Sequence, residues 1–155
     1  MAVETGADLQ VAETLNSLAT IILRRPSSGL SLTASGTLSL LGRVGPLRIT
    51  ELAGRMRVSQ PSMTELVIRL ERTRLVRRTR DREDGRVVLV ELTEPGRALR
   101  DTVRGERATY LAGLLARLDS GQRAALAAAV PAIDRLVGVA SESLATEESE
   151  GARRV

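Results

Sequence analysis

Between Arg77 and Arg86 the chain sets five arginines around Asp81, Glu83, Asp84 and Gly85. Arginines on a short exposed turn neutralise phosphates, and one at the tip can enter a narrow minor groove, where the potential is most negative. Upstream, Ser59-Gln60-Pro61-Ser62-Met63-Thr64 gathers hydrogen-bonding side chains at a helix start. A glutamine amide there can read adenine through two bonds, while serine and threonine hydroxyls are permissive contacts. The chemistry of both clusters is recognition of duplex DNA. The elements that must position them are a helix-turn-helix over Ile49 to Leu75 and a β-hairpin whose tip is 81–86. In that order, the hairpin can reach the groove next to the one the helix fills.

Composition excludes the main rivals. The 155 residues include no His and no Cys, which removes Ser-His-Asp and Cys-His catalysis, zinc sites and thiol redox sensing. No paired carboxylates fall on a plausible cleft, so the chain reads as no enzyme, with no cofactor and no metal. Asp81 to Gly85 lacks the 1-3-5 ligand alternation and the position-6 glycine of a calcium loop. With no Phe or Trp and Tyr110 alone, there is no platform on which single-stranded bases could stack. All 23 basic residues are arginine. Residues 48–86 hold 11 of them against 6 acids, a local +5 in a chain of net +4. A basic middle between near-neutral ends is the electrostatic footprint of nucleic-acid binding. The start Met-Ala-Val-Glu-Thr-Gly-Ala-Asp has neither a basic nor an apolar signal region, and no stretch approaches the ~18 apolar residues of a membrane span, so a cytoplasmic protein is expected.

The periodicity predicts a first helix over about 9–25, ended by Pro26 to Gly29, and a second opening after Leu32, capped by Thr33 and running to the Gly45-Pro46 turn. A short third helix, Ile49 to Arg55, takes Thr50 as its cap. Ser59 caps a fourth, with Pro61 in its first turn and Met63, Leu66, Val67 and Leu70 on its buried face, continuing to Leu75 and Val76. Strands follow over 77–80 and 87–92. Thr93 caps a long helix to about Leu118, and Asp119-Ser120-Gly121 separates it from a last helix that Pro131 should kink or split. From Thr146 the tail 146–155 has too little apolar content to fold. Val11, Leu15, Leu18 and Ile22 in the first helix, and Leu126, Val130, Ile133 and Val137 in the last, recur at heptad-like spacing. The winged segment already fills its own core, so these narrow stripes read as a homodimer interface.

Leu32-Thr33-Ala34-Ser35, Ile49-Thr50-Glu51-Leu52-Ala53, Val58 to Thr64, Asp84-Gly85-Arg86 and Leu92-Thr93-Glu94-Pro95-Gly96 occur in the order and spacing of the MarR family of bacterial transcriptional regulators, which the chain resembles from about residue 8 to 144. The fold expected is mainly α with a small β-hairpin wing. A winged helix-turn-helix lobe would cover 32–93 and a helical dimerisation lobe 8–31 and 94–145. The DNA-contacting residues would be Ser59, Gln60, Pro61, Ser62, Thr64 and Arg69 on the recognition helix, with Arg80, Arg82, Asp84 and Arg86 on the wing. Arg77 and Arg78 would neutralise phosphates beside them. Resemblance further implies that Asp84 shapes the tip through an ion pair with a neighbouring arginine, and that Ala53 packs where the two helices cross. It implies a homodimer with interleaved terminal helices on a palindromic operator, usually as a repressor. Release would come from a small aromatic or phenolic effector, with Tyr110 or an arginine as its polar anchor. A non-specific architectural DNA-binding protein is the alternative. The chain departs from the family at Arg57 and Arg74, where glycine is usual. If either needs a positive φ, a side chain there costs roughly 1 kcal/mol. Each arginine is either a phosphate contact or a change without consequence.

Overall fold

The computed structural model describes residues 6–24, 28–81 and 84–152, with side chains as far as Ser143. Its elements are α1 (Gly6–Leu23), α2 (Leu32–Val44), β1 (Leu47–Arg48), α3 (Ile49–Arg55), α4 (Gln60–Arg72), β2 (Val76–Arg80), β3 (Val88–Leu92), α5 (Glu94–Leu115) and α6 (Ser120–Ala152). This is the mainly helical winged arrangement that the sequence predicts. Two compact units divide the chain at Ala108 and Thr109.

In the first unit, α2, α3, α4 and a three-stranded antiparallel sheet enclose an aliphatic core. Leu38, Leu52, Met63, Val67, Val76 and Val90 are its most deeply buried large side chains. Thr37, fully buried, is satisfied by donating to the Thr33 carbonyl at 2.9 Å. The sheet order is β1-β3-β2, with Leu47 opposite Val90 and Val76 opposite Leu92. The predicted hairpin is thus β2–β3, and β1 is an addition. Two residues carry too little pattern to be read as a strand, and Leu47–Arg48 becomes one only where the free edge of β3 accepts it.

Helix caps shift in two places. Ser31, not Thr33, caps α2, its Oγ accepting from the Ala34 N–H at 3.2 Å. Arg48, not Thr50, is the first cap residue of α3, and the Glu51 carboxylate accepts its backbone N–H at 2.8 Å. Helix α4 ends at Arg72 rather than running on to Val76, which instead opens β2. Thr93 caps α5 as expected: its Oγ1 accepts from Gly96 N–H at 3.1 Å and donates to the Arg74 carbonyl at 2.5 Å. Gly96 permits this junction, because a Cβ there would stand 1.9 Å from the Leu75 carbonyl oxygen.

The second unit is dominated by α6. Asp119 caps it, with Gln122 N–H donating to Oδ1 at 2.8 Å and the Asp119 N–H returning to Gln122 Oε1 at 3.2 Å. The helix is continuous through Pro131, which does not split it. It also runs to Ala152, so the unfolded tail expected from Thr146 is helical at least that far. Extending a formed helix adds a hydrogen bond per residue without a new nucleation cost, which low apolar content does not prevent. Contrary to the composition reading, Ser120–Ser143 has the length and mean hydropathy, 1.5, to cross a membrane. Alanine, valine, leucine and isoleucine supply that value, and Asp134 and Arg135 interrupt it.

Candidate nucleic-acid interface

The helix-turn-helix is α3 and α4 with the turn 56–59 between them. Leu52 and Ala53 of α3 are buried, Ala53 at 5% exposure, in the same core cluster as the inner face of α4. Met63, Leu66, Val67 and Leu70 hold the inner face of α4 in the core. Ser59 caps the helix, accepting the Ser62 N–H at 3.3 Å. Gln60, Pro61, Ser62 and Arg69 are exposed on the opposite side, and Thr64 is half-buried.

The hydroxyls of this group are committed locally. Ser62 shares a 2.8 Å hydrogen bond with Ser59 Oγ, and Thr64 donates to the Gln60 carbonyl at 2.9 Å. Gln60 differs: its carboxamide is exposed and bonds to no other described residue. It keeps both its donor and its acceptor capacity. Thr64 retains only spare acceptor capacity, whereas either hydroxyl can donate in the Ser59–Ser62 bond, which leaves one O–H free between them.

At the wing, β2 and β3 pair from Val76–Leu92 to Arg80–Val88. Asp81 N–H donates to the Val87 carbonyl at 2.9 Å, and Val87 N–H to the Asp84 carbonyl at 2.9 Å. Asp84 Oδ1 accepts the Arg86 N–H at 3.0 Å. Asp84 thus fixes the tip by a local backbone bond, and Arg82, a neighbouring arginine for the ion pair that the resemblance implied, lies outside the described residues. The backbone bond orders the turn carrying Arg86, whose side chain is exposed. Arg80 is exposed one strand position before the tip.

Two arginines expected to neutralise phosphates are engaged within the protein. Arg77 lies directly across from Glu91 and pairs with it at 2.6 Å. Arg78 approaches Glu71 of α4 at 3.7 Å. Their charge is therefore offset within the fold. The cue available in the sequence was Glu91, but only the antiparallel register sets it opposite Arg77.

Both helices that flank the turn regions end alike. In α3, Arg57 N–H bonds to the Gly54 carbonyl and Val58 N–H to Ala53, both at 3.1 Å. In α4, Arg74 N–H bonds to Glu71 and Leu75 N–H to Leu70, both at 2.9 Å. These are paired Schellman bonds, which require a left-handed residue just past the helix. Arg57 and Arg74 take that position at φ 52° and 58°. Val58 and Leu75, the next residues, pack against the core and hold the motif shut.

Of the residues read as a dimer seam, Val11, Leu18, Leu126, Val130, Ile133 and Val137 are 38–59% exposed, and Leu15 and Ile22 are half-buried. Helix α1 buries none of its residues.

Residues 30–88 match the family model described as the MarR family. A helix-turn-helix-type transcriptional regulator of Mycobacterium bovis, itself uncharacterised, is 36% identical over 120 residues, 77% of this chain and 82% of the relative. A crystal structure of a transcriptional regulator protein from Pseudomonas aeruginosa superimposes with a TM-score of 0.67 at 30% identity, covering 87% of this chain and 98% of that one. The fold is also that of FabT from Streptococcus pneumoniae, solved in complex with DNA, at a TM-score of 0.56 and 18% identity over 84% of this chain and 96% of FabT.

Proposed function

For this chain, which belongs to the MarR family and is a DNA-binding helix-turn-helix transcriptional regulator rather than an enzyme, we propose a cytoplasmic homodimer that represses from a palindromic operator and is released by a small effector. The observation that carries sequence-specific reading is the start of α4. Ser59 caps the helix, its apolar face is locked in the core, and Gln60 presents an unengaged carboxamide at the end that enters a major groove. Ser59, Pro61, Ser62, Thr64 and Arg69 surround that reading position, and Arg80, Arg82, Asp84 and Arg86 form the wing contact. FabT, which shares the fold, was solved on DNA.

Dimerisation is supported by the exposed aliphatic rows of α1 and α6, far more apolar surface than single scattered residues would leave. A two-fold axis would then place two recognition helices on half-sites about one helical turn apart. Under this reading the exposed apolar face of α6 meets a second chain rather than lipid, as Asp134 and Arg135 within it favour.

An effector has an anchor in Arg107 of α5. One of its terminal nitrogens donates to the buried Ser35 Oγ of α2 at 3.1 Å, while Nε is buried with no hydrogen-bond partner among the described residues. A carboxylate or phenolate would satisfy that nitrogen, and charge-assisted bonds of this kind are strong.

Selection of bound fragments from genomic DNA by the purified protein tests the reading. Enrichment of one palindromic sequence is expected, and Gln60→Ala should cost about 1–3 kcal/mol on it while relaxing preference at one position per half-site. Equal binding to operator and random duplex would favour the architectural alternative.

A further inference from the structure

Arg57 and Arg74 are the same residue in the same backbone conformation, each two residues past the end of a helix and each exposed. Neither guanidinium has a carboxylate partner among the described residues. Glycine would occupy either position with less strain, and both arginines face a helix C-terminus, where a cation is mildly favourable. Local structure therefore does not distinguish them.

Their places along α4 do. Arg57 precedes the Ser59 cap by two residues, so it stands within about 10 Å of Gln60 at full extension of the intervening chain. Arg74 lies beyond the other end of this 13-residue helix, about 20 Å away along its axis. There its carbonyl is bound by Thr93 at the foot of the wing hairpin, the end opposite the tip. A recognition helix meets DNA at its N-terminal end. We propose that Arg57 is a DNA-backbone contact, its guanidinium neutralising a phosphate beside the reading position, and that Arg74 makes no contact with DNA. The proposal rests on the DNA-binding reading of α4 and adds to it a residue outside the helix. It gives the strained backbone at Arg57 a function that the strain at Arg74 lacks.

The experiment compares Arg57→Gly, Arg57→Asn, Arg57→Lys and Arg74→Gly with the parent, measuring duplex affinity from low to high salt and thermal unfolding alongside. Both glycine variants should unfold at or above the parent temperature. Arg57→Gly should lose up to roughly tenfold in affinity per subunit near 0.1 M salt, and its slope of log K against log salt should flatten by up to ~0.9 per subunit. Arg57→Asn, neutral and at ease with a positive φ, should show the same loss, and Arg57→Lys should restore the slope. Arg74→Gly should match the parent in affinity and slope. Parent-like slopes in Arg57→Gly and Arg57→Asn would overturn the contact, as would a loss confined to the glycine variant, which would mark a flexible turn instead. Equal losses at Arg57 and Arg74 would overturn the assignment by position. A parent that shows no salt-dependent duplex binding at all would instead bring down the DNA-binding reading.

Discussion

The winged segment and the terminal helices are built from the same aliphatic residues, yet they meet opposite fates. Leu38, Leu52, Met63, Val67, Val76 and Val90 are at most 1% exposed, whereas Val11 and Val137 are 58% and 59% exposed. In the winged segment, helices of seven and 13 residues and a three-stranded sheet can each turn an apolar face to the others. In α1 and α6 the apolar rows are just as periodic, but α1 buries nothing and none of the described side chains of α6 is fully buried. Periodicity identifies a face that needs covering, and it is silent on whether the cover comes from the same chain. The proposed homodimer supplies it from a second copy.

The sharpest way to break that contrast is to charge the uncovered face. Leu18 is 43% exposed in the single chain, so Leu18→Asp would be hydrated in a monomer but buried and unpaired in the proposed seam. We expect dimer disruption, on the order of 3–5 kcal/mol against association. Analytical ultracentrifugation should show monomers, with far-UV circular dichroism near that of the parent. A stable dimer would remove α1 from the seam. Truncation separates the two regions next. Leu38→Ala should cost about 2–5 kcal/mol of unfolding free energy at any protein concentration, through the cavity it leaves in a closed core. Val130→Ala, 49% exposed, should cost under about 0.5 kcal/mol where the protein is dilute enough to be monomeric, and more as dimers form. Urea unfolding at several concentrations measures both, and equal, concentration-independent costs would erase the distinction.

The smallest expected effect is on the wing, whose exposed residues are proposed to meet DNA rather than a second chain. Arg86→Ala should leave stability unchanged and flatten the salt dependence of operator affinity by up to roughly one unit per subunit. Preference for A·T-rich flanks should fall with it, and Arg86→Lys should recover only part of the affinity. Titrations on operators with A·T- and G·C-rich flanks decide this. Parent-like binding by Arg86→Ala would show that the tip of the wing is exposed for some other reason.

What could be read without the fold was local in origin. Ser59 and Thr93 are legible as caps because a cap bonds to an amide a few residues ahead. The inner face of α4 is legible because 63, 66, 67 and 70 share one side of any helix. Ser31 and Arg48 are not legible in this way: Thr33 is nearly as good a cap by type as Ser31, and Arg48 takes its place through a backbone N–H held by Glu51 rather than through a side chain of capping type. The glycine-like turns at Arg57 and Arg74 were visible only as a departure from a family pattern. A side chain says little about φ when Val58 and Leu75, packed in the core, impose it.

The sequence by itself determined the order of the helices, the hairpin and its tip, the recognition helix and its inner face, and the chemistry that an absence of His and Cys forbids. Each of these rests on bonds and periodicities that span a few residues. Only the tertiary structure decided that Leu47–Arg48 becomes a strand, that Arg77 and Arg78 are neutralised by Glu91 and Glu71, and that Gly96 must yield space to the Leu75 carbonyl. Those outcomes depend on which distant residues become neighbours once the core closes, and pairing between strands or across a helix end has no periodic trace along the chain.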